Sequence, residues 1–504
     1  MKTKSTLRAC AWLLTLCTAI PVLASCGGDG TAAVETDAKT DAVTETAVET
    51  EPLDALDARK LVDDELGEQD LGGYEFRIVT TDNKGETIWV EEATGDVIDD
   101  AVYTRNATVE ERFNTKIVLA MDKPYTDVFS AVTRSITAGE DAYDLLSAHV
   151  VGLGQISISN YFLNWYDIPH IDFEKPWWSD STVNDLTYNG VCVTAIGDMA
   201  LSALSAAYCV FYNKRLGAEY DFDDLYAVVN DGKWTLDYIT SITKDIYRDL
   251  NGNGAIDTQN DLFGYLSDPY SNMNAYLWAF ENPVFKKNGD VLEYTYKTEK
   301  VSEIVTKLCD TFSLYDGIKF DKTHKNAENG SAHSFGRDMF AKGQAVLSNG
   351  YISMSLTHFR ELEDEFGILP YPKWDEAQTR YYSAIDAGAS VLTVPTTAQN
   401  TEMIGAVVEV LSAESWKGVM PTFYDTVMDS KIANDEGTVR MLDTIFDSRV
   451  IDFAYLYDGW NGWVFKMQSL LTGTQDFASF YAKQEKAVSK HYQKVLDIFL
   501  NDLE

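Results

Sequence analysis

From Tyr74 onward, short apolar runs closed by glycine, proline or a turn are followed by stretches of helical period, and this alternation restricts the chain to stacked layers of helix and sheet. In YEFRIVTT, Tyr74, Phe76 and Ile78 alternate as a first strand should. An amphipathic stretch from Ile98 to Phe113 follows, with Val102, Val109 and Phe113 on its apolar side; TKIVLA then reads as a second strand and YDLLSAH as a third. Further on, AVLSNG, FGILPYP and SVLTVP are short apolar runs closed by Gly or Pro, with helices such as Glu402 to Leu411 after them. The expected class is α/β. The chain has 504 residues, room for two domains, and its 45% hydrophobic residues are enough to fill both cores. No internal repeat with a period of about 20 to 50 residues is apparent.

The N-terminus reads as a secretory signal over residues 1–25. Lys2, Lys4 and Arg8 form a basic region, ACAWLLTLCTAIPVLAS is an apolar run too short for a stable span, and small residues surround Cys26. LASC followed by GGDG resembles a bacterial lipobox, in which the signal is cut before the cysteine and a diacylglyceryl group is attached to its sulfur. The two acyl chains of that group suffice for stable anchoring, which places the mature protein on the outer face of the cytoplasmic membrane. Residues 26–71 carry the lipidated Cys26 and then an acidic, Thr- and Ala-rich stretch with too little apolar bulk to offset the entropy of ordering, so a disordered tether is expected. No second apolar run reaches spanning length.

Cys10 and Cys17 leave with the signal. Cys192, Cys209 and Cys309 remain, without CxxC or Cys/His zinc spacing, and read better as small buried residues than as a disulfide framework; a bridge between Cys192 and Cys209 is left open by the sequence. The formal charge of -38 excludes nucleic acid as a default partner, because a phosphate backbone would be repelled, and it disfavours unaided binding to anionic lipid.

DLNGNGAIDTQND, from Asp249 to Asp261, has the ligand spacing of a calcium loop. Asp249, Asn251 and Asn253 fall at positions 1, 3 and 5, Gly254 supplies the turn at 6, Ala255 a carbonyl at 7, and Asp257 lies at 9. Position 12 carries Asn260 instead of a bidentate Glu, with Asp261 one place late. An Asn/Gly-rich surface turn without metal has the same composition. The expected ligands are Asp249, Asn251, Asn253, Ala255, Asp257 and Asp261, and the expected cofactor is one structural Ca2+, since a calcium sensor pairs two such loops and one is visible.

Several segments, weak singly and persuasive in their order, carry a family resemblance: the lipobox, GDVIDDAVYTRNATVEERFNTKI ahead of a strand, IPHIDFEKPWWSDS, GDMALSALSAAYCVFYNKRL, DGKWTLD, AVLSNGYIS, and FGILPYPKWD followed by AGASVLTVP. Over nearly all of the mature chain they resemble an extracellular solute-binding lipoprotein of a bacterial ABC importer, of the maltodextrin- and oligosaccharide-binding group (family 1). Some members that bind polysaccharide fragments hold a single structural calcium in such a loop, although Thr258 departs from the acidic residue often found there.

The resemblance implies a two-lobe periplasmic-binding-protein-like (Venus flytrap) fold with a hinge of two or three crossing strands. Lobe 1 would comprise residues 72–200 and 388–425 and lobe 2 residues 201–387 and 426–504, with crossings near Gly197 to Ser205 and Ala384 to Ser390. It also implies a carbohydrate ligand in the cleft, a pair of ABC permease subunits as membrane partner, and a monomer. A sugar ring lays its C–H face on an aromatic ring while its hydroxyls take polar partners, and 11 Trp and 28 Tyr supply such rings in plenty. Strand ends in the family pattern nominate His149 in the first lobe and Asn349 and Tyr351 in the second; Tyr208, near the first crossing, and Trp460 and Trp463 in DGWNGW complete the expected ligand set. Trp177 and Trp178 in PWW read as a packed loop.

The six histidines show no HExxH, and neither GxSxG nor a Walker A loop occurs, so no catalytic residue is expected. Two alternatives stay open: a surface-anchored glycoside hydrolase, which needs only two of the 79 acids at the right separation, and a binding protein for a cationic peptide or polyamine.

Overall fold

The computed structural model describes residues 55–82, 85–288, 291–324, 334–428, 436–458, 461–473 and 476–501. The expected signal, Cys26, most of the tether and Trp460 lie outside the described residues. The end of the expected tether is a correction to its disorder. Ala55–Lys60 is a helix, and Asp64 accepts both guanidinium nitrogens of Arg112 at 2.7 and 2.8 Å. Val62, Leu66 and Leu71 pack against the neighbouring core. Three apolar side chains and two ion pairs, the second between Glu65 and Lys175, fix the segment, contacts that average composition does not register.

The strands of the two main sheets, two-residue pieces aside, are β1 (Tyr74–Thr81), β2 (Thr115–Lys123), β3 (Leu145–His149), β4 (Tyr208–Asn213), β5 (Leu262–Leu266), β6 (Ala345–Tyr351), β7 (Phe366–Leu369) and β8 (Ser390–Thr393). Of the helices, α1 (Val97–Phe113), α2 (Tyr125–Ala138) and α3 (Val150–Ser157) follow the first three strands in turn. In the second lobe lie α4 (Ser271–Ala279) and α5 (Phe335–Ala341), and after β8 come α6 (Thr401–Glu414), α7 (Met420–Met428), α8 (Phe453–Tyr457) and α9 (Phe477–Asn501).

The first sheet has the order β8-β3-β1-β2, parallel except for β8, which runs antiparallel to β3. Phe76 and Ile78 are fully buried as the alternation requires, but Val79, Thr80 and Thr81 are buried too, because helices cover both faces where strands run parallel. The second sheet has the order β7-β4-β6-β5 and continues to the two-residue strand Tyr247–Arg248; β4 is antiparallel to both neighbours, whereas β5 and β6 are parallel. The strands in FGILPYP and SVLTVP end at Leu369 and Thr393, short of Pro370 and Pro395, whose rings carry no N–H to donate to a ladder; beyond the strand Pro395 still bridges Phe162 antiparallel.

Two chain segments join the sheets and run side by side. Ala207 bridges Ile385 antiparallel, Asp386 N–H donates to Ala206 O at 2.9 Å, and Ser390 N–H to Ser202 Oγ at 3.0 Å. The end of β6 adjoins them, Ile352 N–H donating to Ala207 O at 3.1 Å. Behind the first lobe, Trp177 and Trp178 are buried, and their indole N–H groups donate to the two carboxyl oxygens of Glu409 on α6 at 2.8 and 2.9 Å. Cys192, Cys209 and Cys309 are all buried and unbridged. Among the described residues no helix is long and apolar enough to cross a membrane.

Candidate ligand cleft

A cavity of about 820 Å³ opens where the two crossings meet the loops of both sheets. From the first lobe it is lined by Thr87, beyond β1, and by Asp96 and Asp99 at the start of α1; the crossings contribute Ser205, Ala206 and Asp386, and the second lobe contributes Tyr351 and Arg360. Asp96 is the α1 N-cap, its carboxylate accepting the N–H groups of Ile98 (2.9 Å) and Asp99 (3.3 Å), so the helix dipole holds this acidic wall in place.

The crossing carboxylate is firmly oriented. Asp386 Oδ1 accepts Gly388 N–H at 2.8 Å, and Oδ2 accepts the hydroxyl of Tyr208 in a short hydrogen bond. Tyr208 lies opposite Tyr351 in the β4/β6 pairing. Burial, and next the Asp386 charge, push the Tyr351 hydroxyl up to about 12, so it stays a neutral donor and acceptor in the cavity wall.

The ends of β1, β2 and β3 converge on a second group. Asp82 takes a left-handed backbone (φ 60°), a conformation costly for a residue other than glycine and concentrated at functional sites, and its Oδ1 accepts Tyr125 N–H at 3.1 Å. The Tyr125 ring stacks on the His149 imidazole, centroids 5.2 Å apart and planes 30° from parallel. His149 N–H donates to Thr81 Oγ1 at 3.0 Å. An aromatic face beside a fixed carboxylate suits a sugar ring.

The expected ligand residues therefore separate. Tyr351 lines the cavity, Tyr208 supports its carboxylate from behind, and His149 belongs to the group at the ends of the first-sheet strands. Asn349 is 1% exposed and lies deeper, its amide donating to Tyr276 (3.1 Å) and Tyr371 (2.7 Å) in a buried tyrosine network. Trp463 is equally buried, in an aromatic cluster with Tyr296, Phe480 and Tyr481 beside α9. Asp82, Tyr125 and Asp386 went unnoticed in the sequence. For the first two the available signal was position, since Asp82 directly follows β1 and Tyr125 follows β2 after Pro124, at the strand ends of a parallel sheet where ligands gather. Asp268, just past β5, is also buried; it accepts Gly336 N–H at 2.8 Å, and burial raises its carboxyl to about 7.

Away from the cleft, the Asp249–Asp261 loop is curled around its own oxygens. Asp249 accepts the N–H groups of Gly252 (2.6 Å) and Gly254 (2.8 Å), both glycines at positive φ, and Asn253 Oδ1 accepts that of Ala255 (2.7 Å). Asn251 Nδ2 donates to Asp257 Oδ2 at 2.9 Å. The buried Asp261 turns back into the loop, accepting from Asp257 N–H (2.7 Å) and the Tyr247 hydroxyl (2.9 Å). Among the described residues no three His, Cys, Asp or Glu side chains are disposed to grip a metal ion. Here the oxygens hold N–H groups, which keeps the Asp249 carboxyl below its ordinary range, chiefly through Gly254 N–H. As a donor set, three carboxylates, two amides and a backbone carbonyl fit a hard divalent cation.

Solved structures share this architecture. A cyclo/maltodextrin-binding protein complexed with maltotetraose matches with a TM-score of 0.55 over 84% of this chain and 99% of its own, at 12% identity. The fold is that of the maltodextrin-binding solute receptors. A maltose/maltodextrin-binding domain from Bdellovibrio bacteriovorus bound to maltotriose matches at 0.53 and 13% identity, over 84% of this chain and 100% of that one. An ABC substrate-binding protein from Listeria monocytogenes in complex with cycloalternan also matches at 0.53, with 12% identity over 82% and 98% of the two chains. No family model matches the sequence, and no curated protein matches it. In this two-lobe fold the crossings through Ala206 and Asp386 are the hinge, and the cavity they floor is the interlobe cleft.

Proposed function

We propose that the chain is the substrate-binding protein of an ABC importer, which captures a neutral oligosaccharide between its lobes and delivers it unaltered to a permease. The observation that carries this reading is the cleft of about 820 Å³, floored by the hinge and walled by both lobes. A ligand closes such a hinge only by contacting both walls better in the closed state, and this cleft offers polar groups on each, with the Tyr351 ring on the second. The similar solved structures bind maltotetraose, maltotriose and cycloalternan, which supports carbohydrate as the cargo.

The remaining parts of the proposal rest on sequence. The LASC segment supports lipidation of Cys26 and anchoring on the outer face of the cytoplasmic membrane. Replacing Cys26 by Ala is expected to release the protein without changing ligand affinity; a released protein that no longer binds would contradict the separation of anchor from cleft. In the Asp249–Asp261 loop, Asp249, Asn251, Asn253, Asp257, Asp261 and the Ala255 carbonyl would hold one calcium ion as a structural rivet. The cargo is tested by a thermal-shift screen of the soluble body against neutral, acidic and basic glycans, cationic peptides and polyamines. Stabilisation by a neutral oligosaccharide supports the reading; stabilisation only by a peptide or polyamine refutes it.

A further inference from the structure

Resting on that reading, we infer that Asp386 is the specificity-determining residue of the cleft: its carboxylate takes two adjacent hydroxyls of a neutral sugar and excludes acidic glycans. Three observations converge on this residue. It belongs to the return crossing, where its N–H is fixed to Ala206 O at 2.9 Å, and it also lines the cavity. It is half-buried, so the carboxylate is partly shielded from bulk water yet open on one side. Its orientation is set from behind, Gly388 N–H holding Oδ1 at 2.8 Å and the Tyr208 hydroxyl holding Oδ2.

A carboxylate has about four acceptor positions. Two are taken by these protein donors, and the pair that remains matches a vicinal diol, whose two O–H groups donate side by side. The sign of the surroundings completes the argument. Asp96 and Asp99 line the same cavity, and Arg360, on the exposed rim, is the basic lining residue among those described. A uronate would therefore face three carboxylates against Arg360 on the rim and Arg337 behind Tyr351, whereas a neutral sugar meets acceptors it can satisfy. Tyr208 acts through Asp386 as a positioning residue.

The test is a calorimetric titration of the wild type, Asp386→Asn, Tyr208→Phe and the double variant with maltotetraose, trigalacturonate and the chitosan trimer, each variant first checked for fold by circular dichroism. Maltotetraose is expected to bind the wild type and trigalacturonate is not. Asp386→Asn should weaken maltotetraose roughly 10- to 100-fold, the range of a charge-assisted hydrogen bond. Tyr208→Phe should weaken it less, and should add nothing in the Asp386→Asn background. The assignment is overturned if Asp386→Asn binds maltotetraose as tightly as the wild type, if the two substitutions are additive, or if the wild type prefers either charged glycan. Wild type that binds none of the three overturns the neutral-sugar reading beneath it, an outcome distinct because it appears before any variant is compared.

Discussion

Gly154 on α3 lies so close to the backbone of Leu456 on α8 that a Cβ added to it would stand 1.7 Å from the Leu456 carbonyl oxygen. The contact joins the lobes: α3 follows β3 of the first sheet, whereas Tyr455 of α8 packs on Trp278 of α4 with ring centroids 4.6 Å apart. Glycine is required there because the opposing atom is main chain and has no rotamer with which to yield.

Gly154→Ala should therefore disfavour this arrangement of the two lobes, and it is expected to act on closure, the contact being one that parted lobes would lose. Overpacking typically costs about 1–3 kcal/mol, and an opened cleft escapes that cost, so ligand affinity should fall by roughly 5- to 150-fold while the unliganded protein stays folded. Calorimetry gives the affinity, and small-angle scattering should find the liganded variant more extended than the liganded wild type. Equal affinity and equal dimensions would show that this contact does not belong to closure.

Glu409→Ala should destabilise the first lobe. It leaves the indole N–H groups of Trp177 and Trp178 buried without acceptors, at about 1–3 kcal/mol each. The urea midpoint should fall with an unchanged slope. A Glu409→Ala protein as stable as the wild type would mean that water replaces the carboxyl.

Stability should decline from mildly acidic to mildly alkaline pH. Burial raises the carboxyls of Asp268 and Glu409 to about 7 and that of Asp452 to about 6. Each group binds its proton more tightly in the folded chain than in the unfolded one. The stability this confers is complete below the unfolded value near 4 and is lost as pH rises through 6 to 7. The melting temperature should accordingly be higher at pH 5 than at pH 8, and Glu409→Gln should flatten part of the slope. A melting temperature that rises across the same interval would contradict the sign.

The strand and helix pattern was legible because it depends on local period: YEFRIVTT and AVLSNG became β1 and β6 within a residue of their expected ends. The site was legible only in part, since it is made by convergence. Tyr351 was visible as a strand end, but Asp386 gains its meaning from Tyr208, 178 residues away, and Tyr125 from His149 stacked on it. Asn349 shares β6 with Tyr351 yet belongs to the interior, because residues two apart point to the same face of the sheet and the depth of cover decides which one reaches the cleft. The order of residues 55–71 was hidden for a related reason, as the Arg112 partner of Asp64 is far along the chain.

Calcium should stabilise the body through the Asp249–Asp261 loop. At a dissociation constant on the order of 0.1–1 mM, about 10 mM calcium adds roughly 1.4–2.7 kcal/mol. The melting temperature of the wild type should rise with calcium and fall with chelator, and the Asp249→Ala, Asp257→Ala double variant should respond to neither. A double variant that responds as the wild type does would move the ion elsewhere.

The central claim is that the cleft holds a neutral oligosaccharide and leaves it intact. Titrating the soluble body with maltotetraose by calorimetry, then recovering the sugar after prolonged incubation for chromatography, tests both halves together. The account predicts saturable one-to-one binding and unchanged maltotetraose; shorter sugars in molar excess over the protein, or no heat of binding at all, would contradict it.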